Sequence, residues 1–359
     1  MNGYHLQEQR DSRPAATRCR SLGVQLGLLS LVLVAGIVLS GSLGYLNIPF
    51  GEVIQIVSAK WVGWPSNAGL SEIHSAVLLD VRLPRILAAA IVGAGLALSG
   101  VIFQGILLNP LADPYTLGVS AGAAFGAALA ILFGFDWMGR YAVPVFAFLG
   151  AAATLGFVIF LSASADGGFS SSNLVLSGII VTAILSAGIS FLKYLADEQV
   201  AVIIFWLMGS FASMTWPNVG MVLAAVLTGF LVFLFYARDL NLLSLGERTA
   251  ASLGVDTRRV PLILLVTASL VTAVCVAVSG IIGFIGLLVP HMMRSVSGPD
   301  NRKLIPVATL AGAVLLLTAD TITRAILPHE IPIGVLTALI GGPFFCYIFR
   351  KRQNAGRGF

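Results

Sequence analysis

From Gln199 to Ala237 the chain carries no Asp, Glu, Lys or Arg, and the same holds over 21–51, 86–112, 114–135, 141–165, 167–192, 260–290, 304–319 and 331–349. Runs of this kind have few fates. Hydrocarbon offers backbone N–H and C=O groups no partner, so a spanning segment must close its own hydrogen bonds as a helix or join a barrel without edges. A spanning strand needs about 10 residues of alternating polarity, a spanning helix about 20 apolar ones. Most of these runs are of helical length, so the residues specify an all-α integral membrane protein. Composition agrees: 57% of residues are hydrophobic and 10% charged, with mean hydropathy +0.95, whereas soluble domains are about a quarter charged.

Two runs must break. Pro217 interrupts 199–237, which predicts a short helix near 202–211 followed by a full span. "SGIIGFIG", Ser279 to Gly286, is too rich in glycine for a straight helix and divides 260–290. The expected total is ten crossings, one of them short. An even count puts both termini on one side. Placing the termini, the 238–259 loop and the 294–303 loop in the cytoplasm collects Arg10, Arg13, Arg18, Arg20, Arg238, Arg248, Arg258, Arg259, Arg294, Arg302, Lys303, Arg350, Lys351, Arg352 and Arg357 there. Only Lys60, Arg82, Arg85, Arg140, Lys193 and Arg324 remain outside, as the positive-inside rule requires. The net charge of +5 thus marks membrane flanks and lipid headgroups, not nucleic acid. The expected division is a cytoplasmic tail at 1–21, a membrane domain at 22–352 and a second tail at 353–359. The first 20 residues are too polar for a signal-peptide n-region, and no A-x-A-like site follows, so a retained first helix is expected.

Residue chemistry narrows the function by exclusion. Cys19, Cys275 and Cys346 are widely separated, as are His5, His74, His291 and His329, so neither a disulfide framework nor a metal cluster is legible. No G-x-x-x-x-G-K-[ST] occurs, nor any Gly-Lys pair, so the chain is not itself an ATP-hydrolysing motor. Small residues at spacings of four, Gly118, Gly122 and Gly126, Gly93 with Ala97, and Gly95 with Ser99, predict close helix seams.

Against this apolar background "SLGERTAASLGV", Ser244 to Val255, is conspicuous: Gly246 and Gly254 bracket one or two helical turns, Leu245 and Leu253 offer apolar contacts, and Glu247 with Arg248 gives polar register. A solvated linker is the plainer alternative. Arg82 and Arg85, flanking Pro84, can point from one side of a helix's first turn; interfacial snorkelling is the ordinary explanation. Asp320 and Arg324 are four apart and can pair. "LLNPLADPYTLG" reads as a turn, since Pro110 and Pro114 end one helix and launch the next.

Three segments taken together resemble the FecCD family, membrane permeases of bacterial ATP-binding cassette importers for iron-siderophores, haem and cobalamin. They are "RLPRILAAAIVGAGLALSGVIFQGILLNPLADPYTLGVSAG" (82–122), "LSLGERTAASLGV" (243–255), and "SGIIGFIGLLVPHMMR" (279–294) followed by "LPHEIPIGVLTALIGGPFF" (327–345). The resemblance, running from about 22 to 352, implies a type II importer permease working as a homodimer with two ATPase subunits and an extracytoplasmic binding protein, in the bacterial inner membrane. It implies that a loop at about 239–257, with Leu245, Gly246, Glu247, Arg248, Ala250, Leu253 and Gly254, forms short helices that dock on the ATPase. It assigns Arg82, Arg85 and Arg324 to glutamates of the binding protein, leaving open whether Arg324 pairs with Asp320 instead. It makes Phe205, Trp206, Met208 and Phe211 neighbours of a gate, although aromatics at these positions can equally anchor a helix among headgroups. Asn109 and Asp113 would lie on the ATPase side.

On this reading the chain is a transport subunit, makes or breaks no bond in its cargo, and holds no cofactor; ATP and Mg belong to the ATPase. The expected cargo is an iron chelate, a siderophore or haem, with cobalamin as the alternative. The rival class is an ion-coupled secondary transporter, which would usually keep acidic or histidine relays within the membrane. Here Lys193, Asp320 and Arg324 lie toward segment ends. A passive channel or anchor has only hydrophobicity in its favour.

Overall fold

The structure is a computed structural model that describes residues 21–44, 46–61, 71–163, 171–325 and 330–355. Of the expected tails, residues 1–20, with Arg10, Arg13, Arg18, Arg20, Cys19 and His5, and 356–359, with Arg357, lie outside the described residues, as does His329, whereas the last helix carries on through 353–355. Among the described residues the regular structure is helical throughout. The helices are α1 (Leu22–Ser42), α2 (Phe50–Trp61), α3 (Glu72–Ala76), α4 (Leu83–Ile106), α5 (Val119–Phe133), α6 (Ala142–Ser162), α7 (Ser171–Leu195), α8 (Val200–Leu207), α9 (Trp216–Phe235), α10 (Ala237–Leu243), α11 (Glu247–Ser252), α12 (Arg259–Ser279), α13 (Ile285–Ser297), α14 (Asn301–Ala325) and α15 (Ile333–Ala355).

Among the described residues, seven helices are long and apolar enough to cross a membrane: α1, α4 with its extension back to Glu72, α6, α7, α9, α12 and α14. α5 and the apolar part of α15 are shorter. α8 has eight residues and cannot span hydrocarbon. The protein is therefore a multi-pass, all-helical membrane protein. The breaks fall where the sequence puts them. Pro217 sits in the first turn of α9, where its missing N–H costs nothing, and α12 gives way to α13 across Gly280–Phe284. Two boundaries differ. The short helix stops at Leu207, not 211, because Gly209 turns with φ +72°. The second crossing begins ten residues before Arg82, since a wider, π-helical turn at Val77–Arg82 joins α3 to α4 and carries Asp80 and Arg82 within a continuous helix.

α4 is the axis of the fold. Of its most apolar stretch 89% is buried inside the protein, against 6% for α1. α14, α12, α13, α9 and α1 all pack on it. Lipid tails are as apolar as leucine, so helices associate through close packing and not through a hydrophobic drive. Glycine permits that approach: a methyl group on Gly93 would lie 2.3 Å from the Gly312 carbonyl oxygen of α14, and one on Gly100 only 1.9 Å from that of Gly286 in α13. The expected seams are thus present at Gly93, and at Gly122 and Gly126, which face α6. Gly118 joins a left-handed turn, φ +77°, at the start of α5 to a close approach to α7, where a methyl would lie 2.9 Å from Thr182 Oγ1.

Replacing Gly100 by Ala should destabilise the fold by about 1–3 kcal/mol, the ordinary cost of overpacking a filled interior. Gly220→Ala, in α9 where nothing lies within 4 Å, should be neutral or mildly stabilising. Thermal unfolding of the two variants in one detergent reads the difference.

Candidate functional site

The polar segment that interrupts the apolar chain is a compact helical hairpin. α10 follows α9 almost directly, the chain turns at Gly246 with φ +102°, α11 makes fewer than two turns, and Gly254 ends it at φ +88°. Leu245 and Leu253 are 61% and 55% exposed, and Glu247 and Arg248 also face outward. Ala250 does not: it is fully buried, and Val255, whose N–H donates to the Ala250 carbonyl at 3.1 Å, is largely so. Ala250 therefore anchors the hairpin from beneath, and the outward face consists of the other residues. After it Asp256 accepts the N–H groups of Arg259 (2.9 Å) and Arg258 (3.1 Å), which hold its carboxyl below the usual range and start α12.

A clamp that the sequence did not reveal holds the hairpin to the membrane bundle. Asn241 in α10 donates from Nδ2 to Asp300 Oδ1 at 2.7 Å, and its Oδ1 accepts from the Asn301 N–H and Nδ2 at 2.9 and 2.8 Å. Asp300 also receives the Arg302 N–H at 3.0 Å, so it caps α14 while holding α10. A lone Asn sixty residues from its partners leaves no local signal.

At the opposite end of α14 two of the three predicted arginines converge on the end of α1. The last carbonyls of a helix have no partner within it. Four successive ones here are met by two guanidinium groups: Arg324 donates to Ser40 O (2.7 Å) and Leu43 O (2.8 Å), and Arg82 to Gly41 O (2.8 Å) and Ser42 O (3.3 Å). Arg82 also donates to Leu46 O and is only 6% exposed. The negative end of the helix dipole favours both cations.

Arg85 engages carboxylates instead. Its Nη2 and Nε reach Asp320 at 2.9 and 3.1 Å, and Nη1 reaches Glu330 at 3.1 Å. The pairing read from sequence spacing, Asp320 with Arg324, is a long contact of 3.9 Å beside this bidentate one. Spacing along one helix could not show that α4 brings a better-placed guanidinium across, or that α1 draws Arg324 away.

The segment after α7 is divided between surface and core. Phe205 is 65% exposed, Trp206 and Met208 are half-buried, and Phe211 is 1% exposed within the main core. Phe211 packs in the core and borders only the second of the two cavities that Phe205 lines. The first, about 390 Å³, is lined among others by Trp206, Arg140, Ser213 and Asn218. The second, about 230 Å³, is lined by Arg85, Asp320, Glu330 and Pro332. Three chain ends are pinned beside them. The Ser210 N–H donates to Ser279 O at 2.8 Å, and the Gly334 N–H to Met208 O at 3.0 Å. A methyl on Gly334 would lie 2.5 Å from both Met208 O and Ile281 O.

The turn between α4 and α5 is structural in build. Asp113 accepts the N–H groups of Tyr115 (2.8 Å) and Thr116 (3.1 Å), and Asn109 accepts that of Leu111 (3.0 Å). Burial pushes the Asp113 carboxyl up to about 6, against the pull of the two amides it accepts.

Comparison with known proteins places this architecture. The model of the FecCD transport family matches residues 32–351. The cobalamin import system permease protein of Halobacterium salinarum is 43% identical over 289 residues, 80% of this chain and 77% of that protein. The hemin transport system permease protein of Yersinia pestis is 38% identical over 340 residues, 93% of this chain and 98% of that one. Among solved structures, an inward-facing conformation of a metal-chelate type ABC transporter superposes with TM-score 0.80 at 36% identity, covering 92% of this chain and 99% of the other.

The buried capping makes a separable claim about Arg82. Arg82→Gln should cost about 2–4 kcal/mol of stability, since charge-assisted donors are lost and buried carbonyls left bare. Arg302→Gln, at an exposed position, should stay within about 0.5 kcal/mol. Denaturation midpoints in detergent compare the two.

Proposed function

The chain belongs to the FecCD transport family, and from that premise we propose that it is the permease of a type II ATP-binding cassette importer, crossing the bacterial inner membrane ten times with both termini in the cytoplasm. Two copies form the path, two ATPase subunits drive it with ATP and Mg, and an extracytoplasmic binding protein delivers the cargo. The chain itself binds no cofactor.

The observation that carries this reading is the α10–α11 hairpin. It pairs an outward face of Leu245, Leu253, Glu247 and Arg248 with an inward anchor at Ala250 and Asn241. A lever needs both: a face for the motor to grip, and a rigid tie to what must move. Asn241 fastens the hairpin to the start of α14, a 25-residue helix whose rise of 1.5 Å per residue spans roughly 35 Å. The Gly93–Gly312 contact joins it closely to α4. Closure of the ATPases then displaces α10, α14 and α4 together, and the path between the two copies changes its open side.

On the outer side we assign Arg82, Arg85 and Arg324 to recognition of an acidic binding protein. Arg82 and Arg324 contribute positive field while capping α1, and Arg85 contributes a partly accessible guanidinium. Such charges set orientation and encounter rate more than affinity. Phe205, Trp206 and Met208 border the gate; Phe211 supports them from the core.

The cargo we propose is an iron chelate, a siderophore or haem. This is supported by the hemin permease relative and by the metal-chelate transporter whose fold the chain shares. Cobalamin is the second reading, favoured by the Halobacterium relative.

Reconstituted with its ATPase and binding protein, the permease should hydrolyse ATP severalfold faster when an iron chelate is supplied than with cobalamin. A response to cobalamin alone moves the assignment to the second reading. Uptake that survives without ATP but collapses with the proton gradient overturns the importer altogether. Separately, a cysteine replacing the exposed Ser252 should cross-link to the ATPase subunit, whereas failure there and at neighbouring positions removes the lever.

A further inference from the structure

The Arg85 guanidinium divides its donors between two carboxylates of unequal standing. Asp320, at 2.9 Å, has a side chain 1% exposed; Glu330, at 3.1 Å, has one 53% exposed. Removing the inner partner would strand a buried charge, which is strongly destabilising. The outer arm lies in water, where an ion pair is screened and worth little. One side of the fork is therefore fixed and the other replaceable.

Glu330 is also tied to the interior. Four residues on, the Gly334 N–H donates to Met208 O at 3.0 Å, in a contact too tight for a side chain. Glu330 and Phe205 line the same cavity. Whatever displaces the Glu330 carboxylate thus acts on the segment seated against the end of α8. Neither of the other arginines offers this. Arg82 and Arg324 donate to the backbone carbonyls that close α1, and those contacts cannot be surrendered without baring the helix end.

Resting on the docking assignment above, we propose that Glu330 is an internal stand-in for the binding protein's carboxylate. On docking, a Glu or Asp side chain of the partner takes Nη1 of Arg85 and Glu330 is released. The released segment relays the event through Gly334 to Met208 at the gate. One exposed carboxylate replaces another, so the exchange is nearly balanced and docking stays reversible. Asp320 keeps Arg85 in place throughout, which lets a surface event leave the buried pair intact.

The test uses the full complex in nanodiscs and the binding protein that stimulates its ATP hydrolysis, with affinity measured across a salt series. Glu330→Gln changes an exposed group and should bind that protein about two- to fivefold more tightly, the range expected for freeing one solvent-exposed ion-pair arm. Its affinity should also fall more steeply with salt. In a background of Arg85→Gln with Asp320→Asn, which removes the buried pair together, Glu330→Gln should give no gain. Unchanged or weaker binding by Glu330→Gln, with the wild type still binding, overturns the exchange and leaves the docking assignment standing. A gain that persists without Arg85 overturns it too, since Glu330 would then act as diffuse surface charge. If the wild-type complex takes up no binding protein at all, both readings fall.

Discussion

A backbone carbonyl that ends a helix away from water must find a donor within the protein, and much of this molecule follows from that need. At the end of α1 four consecutive carbonyls are served by Arg82 and Arg324, which arrive from α4's approach and from α14. The least buried of the seven long helices is thereby bound to α4, the most buried, and to α14. Charge that would be costly in the membrane becomes the means of closing a helix there, because a guanidinium carries enough donors to serve several carbonyls at once.

The same constraint explains the glycines. Where chain segments end within the bundle, at Gly209, Gly280 and Gly334, other backbone groups complete their hydrogen bonding, and only residues without a side chain leave room. Where helices pass each other, Gly93 against Gly312 and Gly100 against Gly286, backbone contact supplies the attraction that lipid does not. The result is a stiff central pair, α4 and α14, carrying the Asn241 clamp at one end and the arginine cluster at the other. In the proposed mechanism stiffness is what permits a push on the hairpin to be felt near the outer face.

Much of the architecture was legible because membrane helices announce themselves locally. Charge-free runs located the long helices, Pro217 and the Ser279–Gly286 stretch located the breaks, and Gly246 and Gly254 bracketed a short helix that the structure contains. Counting charges also misled at one place. The charge-free run from 86, with Arg82 and Arg85 in a first turn, suggested that the second crossing began near Arg82, whereas the helix continues back to Glu72 around a π-helical turn. Arg82 is accommodated there by carbonyls at the end of α1, and Asp80 is exposed; a rule that treats each charge as a boundary sees neither.

Burial and partnership were a different matter. Phe211 and Phe205 look alike in the sequence, yet one is 1% exposed in the core and borders a single cavity, while the other is 65% exposed and borders two. Asp320 had a plausible partner four residues away and took one from a distant helix. By itself the sequence determined that the chain is helical and membrane-bound, roughly where it crosses, and which family its segments resemble, because hydrophobic length and glycine–proline punctuation act over short stretches of chain. Only the tertiary structure decided which arginine faces a carboxylate and which a carbonyl, and that Asn241 ties the hairpin to α14. Those choices depend on how helices far apart in sequence cross, and the crossing is set by packing that local spacing does not encode.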